Sequence, residues 1–204
     1  MFRGAVHLPT VGIELPRHLR LVGTAQDGAG SAQEDTPSEA RPPIDTASAF
    51  RLHGSYVTRV ALRFLGRTAE VDDLVQDVFL DAIRGIHKLR DAEAARPWLA
   101  LITVRKARRL LRKRRARRAF GLDEGADYTE VADSRASPEE RARIAELYRV
   151  LDSIPANERL AWTLRYLEQE PLDRVAEICE CSLATAKRRI AAAHAVITEE
   201  IGDD

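Results

Sequence analysis

Aromatic residues, cysteines and long apolar runs are scarce in this chain of 204 residues. Phe, Trp and Tyr make up 5% of it, a composition that suits small helical domains with modest cores better than one large core. The two cysteines, Cys179 and Cys181, are too few for a disulfide framework or a zinc site, so we expect no metal, no cofactor and a cytoplasmic location. The longest apolar run, residues 98–104, is too short to span a membrane.

The residue patterns that carry catalysis are also missing. None of the five histidines has a serine, cysteine or carboxylate partner at a motif spacing, and no glycine-rich loop could hold a phosphate. We therefore expect a binding protein and not an enzyme.

The periodicity predicts an all-α protein, because runs of β-branched and aromatic residues are almost absent. Residues 1–45 contain five prolines and no helical period, which predicts a disordered N-terminal extension. Helical periods in residues 46–119 and 137–204 predict two small helical domains. The acidic residues 120–136 between them predict a flexible linker.

Charge is distributed unevenly along a chain whose net charge is zero. Residues 84–118 contain fourteen Lys and Arg and two acids, whereas residues 68–81 contain five acids and no base. Two surfaces of opposite sign indicate two different partners, one of which is a polyanion.

A helix predicted over residues 69–86 carries the acidic segment. Its apolar stripe includes Val78, Phe79 and Ile83, and carboxylates occupy the opposite face around Leu80. An apolar residue among carboxylates is typical of a protein-docking patch, although a solvated helix face is the simpler alternative. The preceding helix is predicted over residues 46–65 and ends at Gly66.

The basic segment predicts a helix over residues 98–118, with Pro97 at its first position. Its arginines repel one another unless a polyanion binds them. Trp98 leads into this basic line and could stack on unpaired bases, or it could belong to the core. Arg105, Arg108, Arg109 and Arg112 form this basic line on one side of the helix, which we call the basic stripe.

The C-terminal part begins with a capping box, in which Ser137 is the N-cap, Pro138 follows and Glu140 closes the box. Helices predicted over residues 172–179 and 182–200 form a helix-turn-helix, with Leu183 expected to face the core. Thr185, Lys187 and Arg188 lie on the outer face with small alanines, which suits entry into a major groove. A charged helix exposed to solvent is the alternative.

These segments together resemble the extracytoplasmic-function (ECF) sigma factors of the RNA polymerase sigma-70 family. The resemblance covers residues 50–201 and is most specific in the segment VDDLVQDVFL, residues 71–80. It implies that this segment binds the clamp coiled coil of core RNA polymerase. The residues that it places on that docking surface are Asp73, Gln76, Asp77 and Leu80.

The same resemblance implies two DNA sites. Residues 96–99 and the arginines that follow are similar to the part that opens and recognises the promoter −10 element, with Arg96, Trp98, Arg105, Arg108, Arg109 and Arg112 as its candidates. Residues 182–189 are similar to the −35 recognition helix, with Thr185, Lys187, Arg188, Arg189 and Ala192 as candidates. Family members often have Asn at position 105, Asp at 109, Glu at 174 and Gly at 180.

The implied function is that of a sigma factor that binds core RNA polymerase and promoter DNA, with an anti-sigma factor as inhibitor. One rival is a dimeric helix-turn-helix repressor or activator that binds DNA without polymerase. A second rival is a nucleic-acid-processing enzyme with a helical DNA-binding tail.

Overall fold

The computed structural model describes residues 46–89, 92–122, 128, 131 and 136–202, so the predicted disordered extension, residues 1–45, lies outside it. The prediction of an all-α fold is confirmed, since every regular element among the described residues is helical. No described helix is both long and apolar enough to span a membrane.

Three α-helices form the N-terminal half. Helix α1 (Thr46–Leu65) ends at Gly66, and a short 3-10 turn leads into α2 (Val71–Gly85). The long basic helix α3 (Ala95–Ala119) follows two further 3-10 turns. The three helices pack against one another around Val60, Phe64, Leu74, Val78, Leu99 and Val104, all of which are buried.

Four α-helices form the C-terminal half: α4 (Pro138–Ser153), α5 (Ala156–Tyr166), α6 (Leu172–Ile178) and α7 (Leu183–Ile201). The predicted capping box is present, because the Ser137 side chain accepts from the Glu140 N–H and the Glu140 side chain accepts from the Ser137 N–H. Helix α7 packs mainly on α5 and also on α4 and α6.

Three predicted details are wrong. Pro97 is the third residue of its helix, because α3 begins at Ala95. Ile83 and Leu183 were expected to be buried but are 55% and 44% exposed. Periodicity identifies the apolar side of a helix, but it does not say how far a neighbouring helix extends to cover that side.

The two halves pack directly against each other. Helix α3 contacts α5 and α6, α1 contacts α5, and one continuous apolar core joins the halves. The Arg63 guanidinium at the end of α1 donates to the Leu167 carbonyl at 2.6 Å and pairs with the Glu168 carboxylate at 2.7 Å. Two residues of the predicted linker are described, Tyr128 and Val131, and both are buried.

Gly66 allows the end of α1 to approach α4 closely. Its φ is +67°, and a Cβ at this position would overlap the ring of Tyr148, whose hydroxyl donates to the Arg63 carbonyl at 3.1 Å. Gly121 has almost the same φ, +66°, but a Cβ there would meet nothing within 4 Å. The two glycines therefore share the backbone requirement and differ in the contact.

We predict that Gly66→Ala destabilises the protein more than Gly121→Ala does. Both variants incur the cost of an alanine at positive φ, whereas only Gly66→Ala forces the buried Tyr148 ring to move, at an additional cost of about 1–3 kcal/mol. Urea unfolding of both variants measures the difference. Equal losses would show that the Tyr148 ring moves away from position 66 at no cost in stability.

Candidate polymerase and nucleic-acid interfaces

The exposed side of α2 carries the residues predicted to bind polymerase. Asp73, Gln76 and Asp77 are exposed, and Leu80 is 53% exposed among them. Leu74 and Val78 anchor the opposite side of the helix in the core. We call the exposed side, formed by Asp73, Gln76, Asp77, Leu80 and Asp81, the acidic face.

A lysine of the basic helix marks one edge of the acidic face. The Lys106 ammonium lies 2.8 Å from a carboxylate oxygen of Asp81 and 3.9 Å from one of Asp77. Arg84 lies 3.5 Å from Asp81 on the same helix. Asp73 is not part of these ion pairs, so the N-terminal end of the face has the greater surplus of negative charge.

The first turn of α3 holds Arg96 and Trp98 in different environments. Arg96 is exposed and lies over the Tyr56 ring, 4.4 Å from its centroid. Trp98 is half-buried and packs against the core, so close to Gly85 that a Cβ on that glycine would come within 2.8 Å of the indole. This packing favours the core alternative for Trp98, and a contact with DNA remains a prediction.

Two of the predicted −10 arginines contact the turn of the helix-turn-helix. The Arg105 guanidinium donates to both carboxylate oxygens of Glu180, with its Nε 2.8 Å from Oε2, and Arg108 donates to the Cys179 carbonyl at 3.0 Å. The hydrogen bond from Arg105 lowers the pKa of Glu180, and the same bond raises the pKa of Arg105. The acid that pairs with Arg105 is thus 75 residues away in the sequence.

The remaining arginines of α3 divide into exposed and buried groups. Arg109 and Arg112, both predicted for the −10 site, are exposed. Arg114 is buried instead, where it donates to the Leu65 carbonyl at 2.9 Å and pairs with Glu70. Arg114 follows the buried Leu111 by three residues and the buried Ala107 by seven, so the helical period places it on the apolar side of α3. Its charge conceals this signal among the other arginines of the segment.

The helix-turn-helix presents most of its predicted DNA contacts to solvent. Lys187, Arg188 and Ala192 are exposed, and Arg189 is half-buried. Thr185 is also half-buried; its N–H donates to the Ser182 hydroxyl at 3.2 Å, and its own hydroxyl lies 2.9 Å from that group. Ser182 is thus the N-cap of α7, as the sequence predicts.

Glu180 occupies a backbone position that favours glycine. Its φ is +54°, in the left-handed region. This explains physically why a glycine suits the turn, and it shows that the glutamate here is held in a conformation that side chains rarely adopt. Its pairing with Arg105 provides an interaction that a glycine could not make.

Asp152 organises a charge cluster that sequence reasoning missed. Its carboxylate accepts from Arg159, Tyr128 and Arg118, the last at 2.6 Å, and Arg67 and Arg114 lie within 4 Å of it. These partners come from both halves of the molecule and from residues 120–136. The positions are too far apart in sequence for any local pattern to connect them.

Among the described residues, no group of three or more histidine, cysteine or acidic side chains is placed to hold a metal ion. Burial raises the pKa of the Cys179 thiol to about 11, so it is protonated at neutral pH and reacts slowly as a nucleophile.

Family models identify both halves of the chain. The model of sigma-70 region 2 matches residues 49–117, and that of sigma-70 region 4 matches residues 144–194. The ECF RNA polymerase sigma-E factor of Haemophilus influenzae is 30% identical over 154 residues, which cover 71% of this chain and 81% of that protein. The chain belongs to the ECF sigma factors.

Other relatives agree with this assignment. The sigma-E factor of Escherichia coli is 29% identical, over 66% of this sigma factor and 75% of its own length. A probable RNA polymerase sigma factor of Xanthomonas campestris, RfaY, is 30% identical over 71% of this chain, but the match spans only 37% of that protein. The resemblance inferred from residues 71–80 is thus confirmed, and the protein directs transcription initiation with core RNA polymerase and is not an enzyme.

Two solved structures share the fold. The sigma factor RpoE of Bartonella quintana, in complex with the anti-sigma factor NepR, gives a TM-score of 0.61 at 19% identity and covers 78% of this chain and 97% of its own. CnrH, in complex with the cytosolic domain of CnrY, gives a TM-score of 0.52 at 24% identity. The match covers 76% of this chain and 86% of CnrH. The high coverage means that both halves of each molecule take part in the match.

Proposed function

We propose that this sigma factor binds the clamp coiled coil of core RNA polymerase through the acidic face of α2. The observation that carries the proposal is the joint exposure of Asp73, Gln76, Asp77 and Leu80 on one side of a helix whose other side is buried. Leu80 supplies an apolar contact at the centre, and the carboxylates steer a basic partner toward it. Residues 46–119 form the corresponding domain.

We propose that α3 holds the opened −10 element. Arg96, Arg109 and Arg112 are exposed and available for phosphates of a separated strand, while Arg105 and Arg108 join them once the helix-turn-helix moves away. Binding of a single strand releases counterions and offsets the cost of unstacking base pairs. Trp98 contributes mainly by packing against the core, which fixes the start of α3.

The −35 element is the proposed ligand of α7, within a domain of residues 137–204. Lys187 and Arg188 are exposed near the N-terminal end of this helix, where recognition helices contact base edges and phosphates. Ala192 is small and exposed, so it lets the helix approach the groove floor. Thr185 and Arg189 are half-buried and contribute at the edge of this surface.

The packing of the two halves argues that the free protein must open to use a promoter. The −10 and −35 elements are named for positions roughly 25 base pairs apart, which is about 85 Å along B-form DNA at about 3.4 Å per pair. The turn of the helix-turn-helix instead contacts α3 directly, through Glu180 and Arg105. Two DNA sites that contact each other in the free protein cannot at the same time reach elements about 85 Å apart. The two halves therefore separate when polymerase and promoter bind.

We predict that Glu180→Gln increases the affinity of the free protein for single-stranded −10 DNA by about two- to fivefold. The substitution removes an exposed ion pair worth up to about 1 kcal/mol and frees Arg105. Because pairing lowers the pKa of Glu180, the pair is intact at neutral pH and is lost only as the pH falls through that lowered pKa. Fluorescence anisotropy at neutral pH measures the affinity.

Glu177→Gln is the matched control for Glu180→Gln. It removes the same charge close to the same turn, but Glu177 pairs with Arg174 on its own helix and not with α3. An equal gain in affinity for both variants would show that only net charge matters. No gain for Glu180→Gln would show that the contact does not limit DNA binding.

We further infer that an anti-sigma factor inhibits this protein, as supported by the anti-sigma complexes of the structural neighbour from Bartonella quintana. We propose that this sigma factor acts in the cytoplasm, where core polymerase and promoter DNA are found, and that it needs no cofactor. A repressor that binds DNA alone would have no use for an exposed acidic face.

Reconstituted transcription tests the proposed function. Purified protein is added to core RNA polymerase with genomic DNA, and the 5′ ends of the transcripts are sequenced. We expect start sites that share one −10 and one −35 motif and that are absent with core polymerase alone. Unchanged start sites after addition of the protein would contradict the proposal.

A further inference from the structure

An apolar groove lies beside the acidic face. It is open, has a volume of about 600 Å³ and is lined by Ala47, Phe50, Arg51, Phe79 and Ile83. Phe50 and Ile83 are each 55% exposed, and the Phe50 ring meets the Phe79 ring edge-on, with centroids 4.8 Å apart. Exposed apolar side chains that gather in one place mark a site of association.

The groove and the acidic face form one continuous strip along α2. Each of residues 73, 76, 77, 80 and 83 lies three or four residues from another member of the set, so they share one side of the helix. Carboxylates dominate the first part of the strip, and Leu80 and Ile83 dominate the second. A ligand that fits the whole strip is therefore apolar and positively charged.

Residues 1–22 of the same chain have this composition. Eleven of them are Met, Phe, Ala, Val, Leu or Ile, and three arginines stand against a single acid, Glu14. Residues 23–45 differ sharply, because they contain five acids, one arginine and a single large apolar residue, Ile44. The apolar and basic segment is thus joined to α1 by a segment that does not suit the strip.

Residues 23–45 are long enough to let residues 1–22 reach the groove. Residues 23–45 span at most about 80 Å when extended, and a random coil of that length has an end-to-end distance of about 25 Å. Helix α2, with 15 residues, is about 22 Å long, and Phe50 lies in the second turn of α1, close to where the connection enters. Such a tether gives a local concentration of the order of millimolar.

We infer that residues 1–22 bind in the apolar groove of their own chain and extend over the acidic face. A second copy of the folded domain is a poorer occupant, because it would place two acidic faces together. An anionic membrane surface is repelled for the same reason. If the acidic face binds polymerase as proposed above, residues 1–22 compete with polymerase for it.

Photo-crosslinking tests the binding within the full-length chain. p-Benzoylphenylalanine replaces Phe50 in the groove or, as the matched control, Phe120, which is 79% exposed at the end of α3. We expect the label at position 50 to crosslink to residues 1–22 within one monomer, and the label at position 120 to give few such products. The triple variant Arg3→Glu, Arg17→Glu, Arg20→Glu should reduce the yield at position 50 at least threefold.

Three results would overturn the inference. These are equal yields from positions 50 and 120, products found only between two chains, and a yield that the three charge reversals do not change. The crosslinks do not depend on polymerase, so their absence would leave the proposed function untouched.

A polymerase-binding assay then tests the competition. The same triple variant should bind core polymerase about three- to tenfold more tightly than the unaltered chain, because its own segment no longer covers the acidic face. Crosslinking at position 50 with no binding of either chain to polymerase would support the docking and contradict the proposed function. Equal affinities of the two chains would contradict the competition.

Discussion

Replacing Asp73 and Asp77 together with alanine is expected to weaken binding to core RNA polymerase by at least about thirtyfold. Both carboxylates are exposed at the surface of α2, and Leu74 and Val78 hold the helix from its other side. Loss of interface charges that meet a basic partner costs about 2–5 kcal/mol and leaves the partner's charges unpaired. The fold should stay intact, because neither side chain is buried.

Binding of labelled core polymerase, measured by anisotropy, gives the loss directly. Glu146→Ala is the control, because Glu146 is an exposed acid on α4, away from the acidic face. The experiment also separates the two kinds of DNA-binding protein that the sequence allows. A repressor would keep its affinity for its operator in the double variant. Unchanged binding to polymerase would contradict the proposal that the acidic face docks on polymerase.

Replacing Asp152 with alanine is expected to destabilise the protein by about 3–5 kcal/mol. The Asp152 carboxylate is 7% exposed and pairs with Arg159, which is 1% exposed, and with Arg114, which is 6% exposed. Removing Asp152 leaves the buried Arg159 guanidinium without the acid that it pairs with, whereas Arg114 keeps its pair with Glu70. An uncompensated buried cation costs far more than the net worth of an ion pair. The loss includes the contact of Arg118 that ties α3 to α4.

Thermal unfolding measures this loss, which corresponds to a decrease in Tm of about 6–20 °C for a chain of this size. Asp173→Ala is the control, because Asp173 is an exposed acid in α6. Asp152→Asn keeps the shape and removes the charge, so it shows how much of the effect is electrostatic. A decrease in Tm no larger than that of Asp173→Ala would mean that the cluster does not hold the halves together.

The parts of the fold that could be predicted from the sequence depend on local signals. Helix α1 matches its predicted bounds, residues 46–65, because a strong apolar period is followed by Gly66 in the left-handed conformation that ends a helix. The start of α4 was predictable because Ser137 and Glu140 satisfy each other's backbone N–H groups. The acidic face was predictable because the three- and four-residue spacing of apolar residues along one helix decides which side faces the core.

The parts that could not be predicted depend on contacts between distant residues. The helical period places Arg114 on the side of Leu111 and Arg109 on the other side, but nothing local indicates that Glu70 would pair with a buried arginine. The burial of Tyr128 was missed because its ring stacks on Tyr148, 5.7 Å between centroids, in another element. Nothing local to Arg105 indicates that Glu180 pairs with it.

Opening of the molecule on polymerase can be measured as a distance between α3 and α7. Fluorophores are attached at Ala116→Cys and Glu199→Cys, both exposed, in a Cys181→Ser background. The remaining Cys179 is buried with a pKa of about 11 and so reacts slowly with the labels. Energy transfer should fall sharply when core polymerase and promoter DNA are added to the free protein, since the distance grows by tens of ångströms. Unchanged transfer in a complex that initiates transcription would show that the Arg105–Glu180 contact persists, and would contradict the proposal that promoter DNA replaces it.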